Sequence, residues 1–146
     1  MSTVPAGPRI ELYNRQEAIH LDMGYVKGAV KRALPLCFNE ADAQSPLVSL
    51  EQIEVSIVCA EDISEVHARF LNDPTATDVI TFDHGELIVS AGMAEEKAAE
   101  LGHSTEVELL LYVVHGLLHL GGYNDKSESE FREMSRIQEA IWKKSS

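Results

Sequence analysis

The sequence is poor in cysteine and in positive charge, and each shortage excludes a class of protein. The two cysteines, Cys37 and Cys59, stand apart among apolar residues, which predicts buried thiols and no disulfide or zinc-thiolate pair. With 12 basic against 24 acidic residues, the net charge of −12 argues against a general nucleic-acid coat protein. Lys27, Lys31 and Arg32 share one predicted helix, where a solvated face is favoured over a local basic patch.

Long apolar runs are also missing, and no stretch approaches the roughly 20 residues of a membrane span. Residues 1–8 have neither a basic start nor an apolar core, so they predict a short flexible tail and no secretory signal. A cytoplasmic location is the simplest expectation. With 45% apolar residues, the chain can form one domain with a real core, expected over residues 9–146.

The apolar pattern predicts an α/β (α+β) fold in which about four strands form a mixed sheet with about five helices. The expected strands are 9–14, 52–60, 78–82 and 86–90, and the last two form an antiparallel hairpin. The expected helices are 23–34, 63–71, 92–101, 106–120 and 128–143. The first helix should end before Pro35, residues 39–49 should form a loop, and residues 72–74 should end the second helix.

Polar side chains at the predicted helix starts indicate caps. Asp22 and Asp62 precede the first two helices. Thr105 with Glu108, and Ser127 with residue 130, match the capping-box spacing before the last two helices.

The motif with the clearest chemistry runs from His115 to Asp125. His115 and His119 are four residues apart in an apolar run, so on a helix they share one face. Gly121-Gly122 predicts the end of that helix, after which the chain can return Asp125 toward the imidazoles. Two imidazoles and a carboxylate leave one coordination position open, as in a catalytic zinc site, and Fe(II) or Mn(II) accept the same ligands. The alternative is a pair of ordinary core histidines, but the whole combination favours a metal site at the C-terminal end of a core helix.

Residues 72–138 resemble the YbeY-type endoribonucleases, also called rRNA maturation factors. Two family strands are matched by Thr77–Phe82 and by Gly85-Glu86-Leu87-Ile88. The long family motif is matched by His115–Asp125. Two positions on the last helix are matched by Met134 and Gln138. The resemblance implies a metal-dependent, single-strand-specific endoribonuclease of rRNA maturation and ribosome quality control. It also implies one zinc ion per chain on His115, His119 and Asp125, with rRNA precursors and the ribosome or its proteins as partners. No catalytic residue is assigned, and the nucleophile is either the RNA 2′-OH or a metal-activated water.

The sequence departs from the family at two places. Asp125 stands where the third ligand is usually histidine, and Asn124 replaces the preceding aspartate. A carboxylate is a normal zinc ligand, although it makes bound water less acidic than three neutral histidines would. Leu71 follows Phe70 where many members place an arginine regarded as catalytic, and Arg69 is out of register.

Alternative functions remain open at this point. Zinc peptidases place a general-base glutamate directly after the first histidine, and here that position is Gly116, which argues against peptide hydrolysis. A metal-stabilised module that docks on the ribosome or a protein is the second hypothesis, and another metallohydrolase is the third. Among secondary candidates, His84 is favoured as a plain turn residue over a third ligand. Tyr112 and Tyr123 flank the motif and would stack on a base or, by default, pack in the core.

Overall fold

The structure is a computed structural model that describes residues 7–72 and 77–146. The predicted tail at 1–8 and the predicted helix stop at 72–74 therefore lie largely outside the described residues. The elements in chain order are β1 (Arg9–Asn14), α1 (Met23–Asn39), α2 (Pro46–Ser49), β2 (Gln52–Val58), α3 (Ala60–Leu71), β3 (Val79–Phe82), β4 (Glu86–Ser90), α4 (Ala91–Leu101), α5 (Thr105–Leu120) and α6 (Glu128–Ser145).

The four described strands form one mixed sheet, as the sequence predicted, and their order is β1-β2-β4-β3. Strands β1, β2 and β4 are parallel, with Leu12 beside Val55 and Val55 beside Leu87. Strand β3 pairs with β4 in the antiparallel sense, which confirms the predicted hairpin. As a consequence, β3 is an edge strand, and one of its sides pairs with no strand of residues 7–72 and 77–146.

The two faces of the sheet bury different sets of side chains. Leu12, Val55, Ile57, Leu87 and Val89 belong to the main core, which contains residues of α1 and α5. Apolar side chains of the opposite parity form a smaller cluster with α3: Val58, Ile63, Ile80 and Ile88. This alternation follows from the two-residue period of a strand, and it confirms a single α+β domain.

Helix α5 is the central helix of the main core, and 10 of its 16 residues are buried. Its cap differs from the prediction. Ser104, not Thr105, accepts the hydrogen bond from the Val107 backbone nitrogen at 3.1 Å. Glu108 is not free to complete a capping box, because its carboxylate contacts His103 at 2.7 Å. The predicted caps at Asp22 and Ser127 are confirmed by hydrogen bonds from the backbone of residues 25 and 130.

The predicted end of α1 before Pro35 is wrong, since the helix continues to Asn39. Proline removes one backbone donor and usually costs about 3 kcal/mol inside a helix. The lost bond concerns the carbonyl of Lys31, which is an exposed residue. Continuing the helix buries Cys37 completely, and burial of this kind offsets the cost.

Three other parts of the prediction were also wrong. The predicted loop at 39–49 contains the short helix α2, which Pro46 begins in a position where proline needs no donor. Helix α3 begins at Ala60, with Cys59 as its N-cap residue, so Asp62 lies in the first turn and does not cap it. Strand β2 is therefore shorter than predicted and ends at Val58.

Both cysteines are free thiols; the predicted burial is confirmed for Cys37, whereas Cys59 is only partly buried. Burial raises the pKa of the Cys37 thiol to about 12. Within residues 7–72 and 77–146, no helix combines the length and apolar character needed to cross a membrane.

Gly116 brings α5 close to the hairpin. A Cβ added at this residue would lie 2.5 Å from Leu87 Cδ2 and 3.1 Å from Thr81 Oγ1. Leu87 is fully buried, so its side chain has little room to move away. Because glycine has no side chain beyond a hydrogen atom, α5, which bears the two histidines, can contact the sheet at this point.

We expect Gly116→Ala to lower the free energy of unfolding by about 1–3 kcal/mol, because the extra methyl group overpacks the contact with Leu87. Urea unfolding measures the change. Gly28→Ala is the matched control, since its Cβ would meet only Arg32 Nη1 at 3.5 Å. The control should stabilise α1 by about 0.5–1 kcal/mol. Equal stabilisation in both variants would contradict the packing argument.

Candidate metal centre

His115 and His119 lie near the C-terminal end of α5 and face each other one helical turn apart. Their Nε2 atoms are 3.0 Å apart. The ring centroids are separated by 4.5 Å and the ring planes are nearly perpendicular, at 80°. The spacing seen in the sequence therefore produces converging nitrogen atoms, as predicted.

The other nitrogen of each ring is held by a separate part of the chain. His115 Nδ1 lies 2.7 Å from Gln138 Oε1 on α6, and His119 Nδ1 lies 2.9 Å from the Tyr123 carbonyl oxygen. Carbonyl oxygens only accept hydrogen bonds, so each Nδ1 carries the proton and donates it. In the neutral rings each Nε2 is then left with a lone pair, and the two Nε2 atoms converge at 3.0 Å.

This arrangement fits a metal ion. Two lone pairs 3.0 Å apart repel each other, and a cation between them replaces that repulsion by two coordinate bonds. With bonds of about 2.0–2.1 Å and a tetrahedral angle, two zinc-bound nitrogens are about 3.3 Å apart. A carboxylate oxygen of Asp125 completes the group, since one ligand atom from each of the three residues lies within 4.8 Å of the others.

The turn after α5 brings Asp125 to this group. Gly122, at φ +100°, donates to the His119 carbonyl at 3.0 Å, and Tyr123 donates to the Leu118 carbonyl at 3.0 Å. These two bonds define a Schellman motif, in which glycine adopts the left-handed position after the helix. The Asp42 backbone nitrogen donates to the Gly121 carbonyl at 2.9 Å and anchors the turn. The predicted stop at Gly121-Gly122 is confirmed.

Burial favours the metal-binding protonation state of His119. Desolvation lowers the pKa of His119, and the neighbouring His115 lowers it further. The Tyr123 carbonyl and the Asp125 carboxylate act in the opposite direction without reversing the shift. His119 is therefore neutral at pH 7, with its Nε2 lone pair available to a cation.

Two cavities open beside the imidazoles. The first, of about 490 Å³, is lined by both histidines together with Leu71, Thr81 and Tyr123 among others. The second, of about 380 Å³, is lined by His115, Gln138, Lys97, Glu108 and Tyr112 among others. The open side of edge strand β3 borders the first cavity, so a long, flexible ligand can reach the imidazoles from solvent.

Several other side chains of the hairpin and the cleft do not join the metal group. His84 stays at the hairpin turn, where its Nε2 is 3.1 Å from Glu86 Oε1. Tyr123 is half-buried and donates its hydroxyl to Glu40 at 3.3 Å. Asp78 braces the start of β3 by accepting a hydrogen bond from the Val79 nitrogen at 2.8 Å.

Tyr112 is buried in the core, as expected by default, and its hydroxyl finds no hydrogen-bond partner among the described residues. Desolvation and the nearby Glu108 carboxylate raise the pKa of this phenol. Tyr112 is therefore neutral at physiological pH and cannot act as a base there.

Two groups near the site were not found from the sequence. The carbonyl of Tyr123 that orients His119 is a backbone atom, so no residue type marks it. The pair of His103 and buried Glu108 could have been suspected only from their five-residue spacing around the helix start. Gln138 was named by the family resemblance alone, and the structure adds its contact with His115.

Known proteins share this fold and sequence pattern. A family model described as Endoribonuclease YbeY matches residues 11–146. The Endoribonuclease YbeY of Clavibacter michiganensis is 28% identical over 145 residues, covering 88% of this chain and 90% of that protein. The Endoribonuclease YbeY of Nautilia profundicola is 35% identical over 106 residues, covering 67% and 75% respectively. A Thermotoga maritima protein solved in solution superposes with a TM-score of 0.61 at 25% identity, covering 92% of this chain and 90% of that one.

These matches place the chain in the class of hydrolases that act on RNA. The chain belongs to the YbeY endoribonuclease family, because the family model spans nearly its full length.

We expect His119→Ala to remove most of the bound metal, because the variant lacks one of two converging nitrogen ligands. Elemental analysis of purified protein measures the content, which should be about one zinc ion per chain in the wild type. His20→Ala is the control, since His20 is exposed and outside the cleft. Equal metal content in the wild type and His119→Ala would disprove the assignment.

Substitutions at Asp125 test the third ligand separately. Asp125→Ala should weaken zinc affinity at least about tenfold while the two imidazoles still bind, and Asp125→His should retain tight binding. Competition with a chromophoric chelator measures the dissociation constants. If the zinc affinity of Asp125→Ala is unchanged, the third metal ligand is a residue other than Asp125.

Proposed function

We propose that this chain is a metal-dependent endoribonuclease that cleaves single-stranded RNA and that ribosomal RNA precursors are its natural substrate. The observation that supports metal dependence best is the pair of Nε2 lone pairs converging at 3.0 Å beside the Asp125 carboxylate. The family supports RNA as the substrate. The resemblance further favours a cytoplasmic protein with the ribosome or ribosomal proteins as partners.

His115, His119 and Asp125 would hold the cation, and zinc suits this ligand set, as do Fe(II) and Mn(II). When bound, such a cation supplies Lewis-acid stabilisation of charge on a phosphoryl oxygen. Gln138 and the Tyr123 carbonyl keep both imidazoles in the ligating tautomer, so the site needs little rearrangement.

The edge strand supplies a hydrogen-bond donor next to this group. The bond from the Ser90 nitrogen to the Asp78 carbonyl, at 3.0 Å, marks residues 78 and 90 as a hydrogen-bonded pair. By alternation, the backbone groups of Val79 and Thr81 point away from β4. The Val79 nitrogen is already bound to Asp78, whereas the Thr81 N–H points toward the open edge that lines the cleft. A backbone donor there can bind a phosphate oxygen.

The reaction should be slow because charge stabilisation is weak. Leu71 lines the cleft where many relatives carry an arginine, and no lysine or arginine of residues 7–72 and 77–146 lines the cavity that holds both imidazoles. The net charge of −12 also repels a polyanion, so productive binding should fall as the RNA lengthens beyond the cleft.

A second candidate is a metal-stabilised module that binds the ribosome or a protein without strong catalysis. The replacement of the arginine by Leu71 favours this candidate, since an apolar side chain cannot stabilise phosphoryl charge. The retention of all three ligand-type residues in one cluster favours the enzyme.

We expect the purified protein to cleave a labelled, unstructured RNA slowly and to lose this activity with a chelator or in His115→Ala. Gel analysis of cleavage products measures the rate. Leu71→Arg should raise the rate about tenfold or more, because it returns a cation to the cleft.

His20→Ala should cleave like the wild type, and casein should stay intact in every sample. Casein cleavage would support a peptidase instead. Metal binding without cleavage of any RNA would favour the binding module.

A further inference from the structure

We propose that Phe70, Phe82 and His84 form a stacking platform for an unpaired base of the RNA strand that occupies the metal cleft. This inference rests on the proposed function, because it takes single-stranded RNA as the ligand. It assigns a base-binding surface outside the metal group.

The three rings form a continuous aromatic cluster in the structure. The Phe82 and His84 rings lie 5.5 Å apart with planes inclined by 22°, and Phe70 meets Phe82 edge to face at 5.8 Å and 80°. Phe82 is half-buried against the small core cluster that contains Ile80, which holds the platform in place. Phe70 and His84 are exposed, at 61% for Phe70 and 68% for the His84 side chain.

The platform adjoins the cleft across the edge of the sheet. Leu71, which follows Phe70 at the end of α3, lines the same cavity as His115 and His119. Phe82 follows Thr81, whose hydroxyl oxygen lies 3.1 Å from the Cβ position of residue 116 on α5. Successive strand residues point to opposite faces, so Phe82 projects away from α5 toward α3. A strand of RNA that leaves the imidazoles over the β3 edge therefore meets the platform next.

The charges around the cleft favour a base over a phosphate as the group recognised here. The basic residue next to Phe70 in the sequence is Arg69, and its side chain contacts Glu65 at 3.6 Å. The His84 ring of the platform contacts Glu86. Base stacking on aromatic rings needs no positive charge and accepts all four bases, since every base has a π-face. It is suited to a protein whose net charge is −12 and whose substrate is a polyanion.

The first experiment measures binding of a short unstructured RNA by full-length protein in the His115→Ala background, where cleavage is disabled. Phe70→Ala should weaken binding about five- to a hundredfold, the range for one stacked base. The ratio between the two proteins should not change with salt, because stacking is not an ionic contact. Leu101→Ala, which removes an equally exposed apolar side chain at the far end of α4, should bind like the parent.

The second experiment identifies the contact as stacking. An abasic site is moved along the RNA, and at one position it should weaken parental binding as much as Phe70→Ala does, with no further loss when the two changes are combined. Phe70→Trp should keep the affinity and show fluorescence quenching on RNA addition. The single natural tryptophan, Trp142, is half-buried and donates to the Val107 carbonyl at 2.8 Å, so it gives a constant background.

The proposal is overturned if Phe70→Ala and Phe70→Leu both bind RNA like the parent, or if their loss persists unchanged at every abasic position. Both results are independent of cleavage, so they test the platform even where the wild type fails to cut RNA. If the wild type cleaves RNA but the Phe70 variants bind RNA like the parent, the proposed function stands and the stacking platform is rejected.

Discussion

The orientation of two imidazoles is the constraint on which the candidate site depends. Each ring donates its Nδ1 proton to a carbonyl oxygen, from Gln138 on α6 and from the turn at Tyr123. In the neutral rings both Nε2 atoms carry lone pairs and converge at 3.0 Å, an arrangement suited to binding a cation. Helix α6 and the turn after α5 therefore position the ligands, although neither contributes a histidine.

Features encoded in a few neighbouring residues could be predicted from the sequence. The four-residue spacing of His115 and His119, and the stop at Gly121-Gly122, depend only on helix geometry and glycine conformation, and the structure has both. The hairpin of β3 and β4 follows equally from strand patterns around a turn. Such features need no knowledge of what lies across the core.

Features that depend on distant contacts could not be predicted in this way. Helix α1 continues through Pro35 because the following turn buries Cys37, which local propensity does not reveal. Ser104 replaces Thr105 as the cap of α5, while Glu108, the expected partner in the capping box, pairs with His103. The juxtaposition of Phe70 with Phe82 joins a helix end to a strand, and no spacing in the sequence indicates it.

The close contact at Gly116 has a consequence for the chemistry of the site. A glutamate at this position would complete the motif of a zinc peptidase, yet its Cβ alone would lie 2.5 Å from Leu87 Cδ2. Substitutions at residues 116 and 87 should therefore be energetically coupled, since a smaller side chain at 87 would relieve the clash that a side chain at 116 creates. In this chain, the packing of α5 against β4 therefore excludes the side chain that a zinc peptidase uses as its general base.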